Sequence, residues 1–407
     1  MKLSVVIPVK ADNGTLEHTL RSVLEQDYQN LEVIVSNNSR QKSVNDLVSK
    51  LTDPRIVLVE PEVEMRFSED WEFALSHITG DYVTLLGDDD AVVPSGFKVA
   101  AQIIQNYELS ALVWRKFNYC WPDHIRIDRR NLLKGRSINS LRFIDARKAL
   151  NLVSQSQFGY NELPCIYNSL IKTSVVKEVI SKSKNRMFFG GVIPDVYSGI
   201  VVASFIDFYA YSEFPITLNA ASSKSSGVLQ SKKNLTKNQK KHIADVLNSG
   251  QKYDHRLGDF NTSINSIVLG EYLLASENLK GFRGRQPSWL LFILALRREV
   301  KNSHEPERIC NAIRYTQKKT RIYLPIPKFS LKNNLSVSRE IQCNFSLPDN
   351  ITNSFLASQL LTNTIPMSEE VEIMSIKRQL KRWFSETKST LKSIYKIYRT
   401  SYSFRNK

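Results

Sequence analysis

Over its first 115 residues the chain alternates short apolar runs rich in β-branched residues with amphipathic stretches of helical period, and few architectures accommodate that. "KLSVVIPV" (residues 2–9) reads as a strand that stops at Pro8. "GTLEHTLRSVLEQ" follows, with Leu16, Leu20, Val23 and Leu24 on one face and Thr15 at the N-cap position. The pattern then repeats as a strand over residues 31–36, a helix over 43–51, a strand over 55–60, a helix over 68–77 and a strand over 81–86. Pro94 opens a helix to about Asn106, and "SALVWRKF" (residues 110–117) is a further strand. Such alternation predicts an α/β fold with a doubly wound, mainly parallel sheet, in which ligands bind beyond the carboxyl ends of the strands. Three stretches fall there: residues 8–12, 36–39 and 87–90.

The third of these stretches is "GDDD", inside "YVTLLGDDDAVVP". Adjacent carboxylates repel one another, and a turn needs only one Asp or Asn. Asp88, Asp89 and Asp90 at the end of a buried strand therefore predict a hard-oxygen site for Mg²⁺ or Mn²⁺, which would neutralise the phosphates of a bound nucleotide. A similar "GDD" occurs in a hairpin of RNA-copying polymerases. The strand and helix units from residue 3 onward disfavour that reading.

Two stretches together, "VVIPVKADNGTLEHTLRSVLEQDYQNLEVIVSNNS" and "ALSHITGDYVTLLGDDDAVVP", resemble the family-2 inverting glycosyltransferases of the GT-A fold, bacterial surface-polysaccharide type. The resemblance covers residues 3–100. It implies that Pro8, Val9 and Lys10 touch the nucleoside, that Asn37 and Asn38 hold the base, and that the Asp-x-Asp metal motif falls on "GDDD". Gly87 then stands where the first Asp is usual, which makes Asp89 the first metal ligand, with Asp88 and Asp90 assisting and Asp88 also beside the donor phosphates. Many members carry Asp where Asn37 stands, so the leaning to a uridine nucleotide rests on an amide.

An inverting transfer needs a carboxylate to take the proton of the attacking hydroxyl. The segment from Phe188 to Gly227 resembles the acceptor region of members with an "LGDDD" motif, and the resemblance puts the base on Asp195, with Glu162 and Asp207 as fallbacks. A plain N-cap is the competing role for Asp195. The donor would be a nucleotide-diphosphate sugar, with a UDP-sugar favoured, and the acceptor a glycan or lipid-linked glycan.

The remainder of the chain bears on partners. The 56 Lys and Arg exceed the 40 Asp and Glu by 16, and residues 371–407 hold ten of the cations against two acids. In that tail apolar residues recur at helical spacing, so it suits an anionic membrane surface. No CxxC pair links Cys120, Cys165, Cys310 and Cys343, and the longest aliphatic run, "WLLFILAL", is too short to span a bilayer. A cytoplasmic protein, peripheral on the membrane, is expected. The expected regions are a nucleotide-sugar-binding half (1–115), an acceptor-binding half (116–228), a mainly helical extension (229–370) and the basic tail (371–407). Two other classes remain open, a non-catalytic scaffold of the same fold and a basic nucleic-acid-binding protein, although no nucleic-acid signature is present. Metal-dependent nucleotide binding separates the enzyme from both.

Overall fold

The computed structural model describes residues 1–10, 14–135, 140–225, 253–258, 263–300, 303, 306–326, 343–347, 351–364 and 372–373. The first units are β1 (Leu3–Val9), α1 (Leu16–Leu24), β2 (Leu31–Asn37), α2 (Lys42–Leu51), β3 (Ile56–Val59), α3 (Phe67–Leu75) and β4 (Tyr82–Leu85), each as the pattern predicts to within two residues. After them come β5 (Ala91–Val92), α4 (Gly96–Tyr107), β6 (Ala111–Trp114) and β7 (Phe117–Cys120). The single strand expected over residues 110–117 is thus divided at Arg115 and Lys116, where the chain leaves one sheet for another.

The middle of the chain supplies β8 (Leu132–Gly135), β9 (Ser140–Asp145), α5 (Ala146–Ser154), β10 (Ser169–Lys172), α6 (Thr173–Lys182), α7 (Pro194–Phe205), β11 (Phe208–Ser212) and β12 (Thr217–Ala221). Beyond it lie α8 (Ile264–Asn278), α9 (Trp289–Glu299), α10 (Pro306–Thr320), β13 (Cys343–Ser346), α11 (Ser354–Thr364) and β14 (Glu372–Ile373). Apart from β14, the expected tail helix falls outside the described residues.

The main sheet runs β14-β9-β11-β6-β10-β4-β1-β2-β3. Strands β4, β1, β2 and β3 are parallel. Strand β10 runs antiparallel between β4 and β6, so β6 points the same way as β4. The carboxyl ends of β1, β2, β4 and β6 therefore share one edge, with Val9 opposite Asn37 in register. The second sheet runs β13-β8-β7-β12-β5. The mainly parallel α/β architecture with C-terminal helices is as expected.

Side-chain alternation explains the layering. In β1, Val6 packs into one core with Trp71 of α3 and the buried residues of α5, α6 and α7, whereas Leu3, Val5, Ile7 and Val9 pack into another with α1 and α4. Both faces of the strand are covered, which is why its sequence is continuously apolar. Helix α7 is apolar on every side because it is enclosed, with Val196, Tyr197 and residues 200–203 all buried.

Candidate active site

The acidic turn lies between β4 and β5 and is pinned from several directions. The Thr19 hydroxyl of α1 donates to the carbonyls of Asp88 (2.9 Å) and Asp90 (2.7 Å), Trp121 Nε1 donates to that of Asp89 (3.1 Å), and Ser354 Oγ at the start of α11 donates to that of Asp90 (3.1 Å). The Asp90 carboxylate is 1 % exposed and accepts from the Gly87 N–H (2.8 Å), the Ala220 N–H (2.7 Å) and the Tyr167 hydroxyl (2.5 Å). Burial, and then the neighbouring Asp89 charge, push its pKa up to about 7. Burial likewise raises that of Asp89, whose Oδ2 accepts from Ser225 Oγ (2.6 Å) and the Ser222 N–H (3.4 Å).

Gly87 is required by this packing. A Cβ there would stand 2.8 Å from the Tyr167 hydroxyl and 3.0 Å from Asp90 Oδ2. The residue missing from the usual Asp-x-Asp pattern thus leaves the space in which Tyr167 reaches Asp90.

The fit to a divalent metal follows from these bonds. Among the described residues no group of three or more His, Cys, Asp or Glu could hold a metal ion. Mg²⁺ and Mn²⁺ at nucleotide sites commonly take one or two carboxylates and complete their shell from phosphate and water oxygens. Asp88 and Asp89 would be the carboxylates of such a set, Asp89 with its Oδ2 already accepting from Ser225 and Ser222, while Asp90 accepts from three protein donors.

The other two strand ends lie along the same edge. The Asn37 amide is buried, donating to the Gln41 carbonyl, Asn45 Oδ1 and Glu60 Oε1 and accepting from the Gln41 N–H. Asn38 closes a reciprocal pair with the Met65 backbone, at 2.9 and 2.8 Å. Both amides therefore tie β2 to the segments that follow it. Val9 is buried, Pro8 is half-buried, and Lys10 Nζ lies 3.4 Å from Glu64. Asp70 of α3 lies beneath them, accepting from Ser36 Oγ at 2.6 Å, and burial raises its pKa to about 7 against the pull of Lys10.

Asp195 occupies the first turn of α7, but it is not the N-cap. That position is Ile193, which has no side-chain acceptor, and the N–H groups just before the helix are bound from elsewhere in the chain. Glu271 of α8 accepts from the N–H groups of Ile193 (2.7 Å) and Val192 (3.1 Å) and from the Tyr253 hydroxyl. Gly191 permits that approach, since a Cβ there would be 2.0 Å from Glu271 Oε2. From the opposite side Glu72 of α3 accepts from the Phe188 and Phe189 N–H groups, each at 2.9 Å. The loop over residues 188–193 is thus held by the buried Glu271 and the half-buried Glu72, and desolvation raises the pKa of both, Glu271 to about 8.

Burial raises the pKa of Asp195, while the Lys116 charge and the backbone amides at the start of α7 act the other way. Lys116 Nζ lies 5.1 Å from the centroid of the Tyr167 ring, which is parallel to Trp71 at 6.3 Å. Tyr167 in turn feels the charges of both Asp90 and Asp195. Tyr167 is thus bonded to the acidic turn through its hydroxyl, with a lysine over its ring. The two fallback acids are engaged elsewhere: Glu162 pairs with Arg142 (3.0 Å), and the exposed Asp207 pairs with Arg283 (2.8 Å).

Sequence reading alone misses Glu72, Lys116, Tyr167 and Glu271. A glutamate inside an apolar helix, "VLGEYLL", is the one local sign that Glu271 is buried and partnered. Tyr167 and Lys116 stand in ordinary contexts.

Residues 4–161 match a family model described as Glycosyl transferase family 2. "Glycosyltransferase GlyG" of Streptococcus pneumoniae is 22 % identical over 119 residues, covering 29 % of this chain and 40 % of the relative. The "GalNAc(5)-diNAcBac-PP-undecaprenol beta-1,3-glucosyltransferase" of Campylobacter jejuni is 28 % identical over 104 residues, covering 25 % and 34 %. The chain spans less than half the length of these curated relatives. Among solved structures, S. aureus TarS 1-349 in complex with UDP-GlcNAc superposes with a TM-score of 0.43 at 12 % identity, over 80 % of this chain and 93 % of that one.

Proposed function

We propose that the chain is an inverting glycosyltransferase that moves a sugar from a nucleotide-diphosphate donor, with a UDP-sugar favoured, to a hydroxyl of a lipid-linked surface glycan. The observation that carries this reading is the acidic turn after β4, held by Thr19, Trp121 and Tyr167 on the edge it shares with the ends of β1 and β2. Under this proposal a donor diphosphate at the turn and an acceptor hydroxyl at Asp195 approach the same anomeric carbon from opposite sides. The family match over residues 4–161 supports the donor half, and a relative named for an undecaprenol-diphosphate acceptor supports the lipid-linked one.

Asp89 and Asp88 would hold Mg²⁺ or Mn²⁺, which when bound neutralises charge on the leaving diphosphate. Asp90 keeps the turn closed around them through its three protein donors. Pro8, Val9 and Lys10 line the nucleoside at the end of β1. Asn37 and Asn38, their amides already engaged, shape the base site by fixing the segments that border it. Asp195 takes the proton of the acceptor hydroxyl as its oxygen bonds to the anomeric carbon. The bond from that carbon to the phosphate oxygen breaks, and its electron pair leaves on the diphosphate. Lys116 favours the ionised form of the base, which burial alone would disfavour. The tail over residues 371–407 would contact the cytoplasmic face of the membrane, where the acceptor resides.

Asp195→Asn tests the assignment. Turnover should fall by about 10²–10⁴-fold, the usual contribution of a general base, while UDP binding with Mn²⁺ is retained. Full activity in this variant would refute Asp195 as the base.

A further inference from the structure

Helix α10 has two faces of opposite character. Ile309, Cys310 and Ile313 are buried against Leu269 and Leu273 of α8 and Phe292 and Leu296 of α9. The outward face presents Arg314, Tyr315, Lys318 and Lys319, and the chain leaving the helix adds Arg321 and Tyr323. Between residues 306 and 326 five Lys or Arg stand against Glu307 alone. Tyr315 is 41 % and Tyr323 72 % exposed, an unusual degree for such large rings.

A solvated helix face ordinarily mixes charge signs and gains from pairs four residues apart. Here the pair four apart is Arg314 and Lys318, two cations, so the isolated surface carries repulsion that an anionic partner would relieve. The exposed tyrosines indicate which polyanion. Their rings combine an apolar body with a polar tip and favour the headgroup level of a bilayer, and Lys319 Nζ lies 5.6 Å from the Tyr315 ring centroid, so cation and ring stand side by side on this face.

We propose that the outer face of α10 and the segment through Tyr323 dock on an anionic lipid bilayer. Lys and Arg would meet lipid phosphates, and Tyr315 and Tyr323 would insert to headgroup depth. This surface lies outside the basic tail in sequence and does not depend on the catalytic reading.

The test is co-sedimentation of the full chain with phosphatidylcholine vesicles and with vesicles in which about a third of the lipid is phosphatidylglycerol. Each surface cation contributes about fivefold to partitioning on anionic membranes, so Arg314→Gln/Lys318→Gln/Lys319→Gln should bind anionic vesicles about a hundredfold more weakly. Tyr315→Ser/Tyr323→Ser should also bind them more weakly, with little change in salt dependence. Melting temperatures within a degree or two of wild type would show that the variants fold. Wild-type binding by the triple variant would overturn the proposal. So would a preference for single-stranded oligonucleotide over anionic vesicles that the triple substitution abolishes, because the surface would then be a nucleic-acid site.

Discussion

Glu271 offers a way to separate shape from charge at the acceptor side. Glu271→Ala removes the acceptor for the Val192 and Ile193 N–H groups and for the Tyr253 hydroxyl. An unsatisfied buried donor costs about 1–3 kcal/mol, so three of them amount to roughly 3–9 kcal/mol, a large part of the stability of an ordinary domain. Glu271→Gln keeps an acceptor oxygen where Oε1 sits, and its effect should be far smaller at pH 5. The glutamine variant then isolates the titration. Burial raises the Glu271 pKa from 4.5 to about 8, so the folded state retains a proton that the unfolded state releases. Its contribution to stability is present in full below pH 4.5 and is lost as pH rises towards 8. With a full slope of about 1.4 kcal/mol per pH unit, the wild type should lose up to about 4 kcal/mol from this site between pH 5 and 8. Urea denaturation of wild type and Glu271→Gln across that range measures the difference. The glutamine variant should give the flatter curve and overtake the wild type near neutrality. Parallel curves would refute the claim that a buried, protonated carboxyl holds the loop leading into α7.

Other perturbations address the acidic turn and the opposite end of the sheet. Tyr167→Phe deletes one of the three donors to Asp90 and should cost about 1–3 kcal/mol in urea denaturation; a neutral result would mean that the tyrosine does not support the turn. In a thermal-shift screen of UDP, GDP, CDP and dTDP, each with and without Mn²⁺, one nucleotide should raise the melting temperature of the wild type in the presence of the metal. Asp89→Asn should abolish that shift and Gly87→Ala should reduce it, since the added methyl collides with Tyr167 and Asp90; a shift intact in both would remove the metal from the turn. Glu32 accepts from Ser4, Thr79 and Lys2, and although burial opposes them these bonds hold its pKa down at about 2. Its stabilisation is present above pH 4.5 and lost as pH falls towards 2. Allowing for solvent at Lys2, Glu32→Gln should cost about 2 kcal/mol at pH 7 and almost nothing at pH 2.

The amino-terminal half was legible because its cues are local. Short β-branched apolar runs and period-3.6 patterns define β1 through β4 and the helices between them, and parallel connectivity follows from their order. What went unread depends on contacts distant in sequence. Nothing in "NSLIK" shows that β10 inserts antiparallel between β4 and β6, because a short apolar run carries no direction. Pro94 marks a boundary, yet α4 begins at Gly96, since Ser95 adopts φ 59° in a turn closed by the Gly96 N–H on the Val93 carbonyl. The triplet of aspartates could be placed at a strand end, but their division of labour could not. Asp90 owes its role to donors at residues 87, 167 and 220, and Asp195 owes its position to acceptors at 72 and 271.

The chain returns to this edge late, with Glu271 beneath the 188–193 loop and Ser354 on the Asp90 carbonyl. A fragment ending near residue 228 would keep every residue expected to touch donor or acceptor, yet it would expose two amides at the start of α7. The same holds for hybrids. Grafting foreign helices after residue 263 would preserve the acceptor loop only if the graft brought a carboxylate to the place of Glu271. The C-terminal helices and the first turn of α7 should therefore be inherited together.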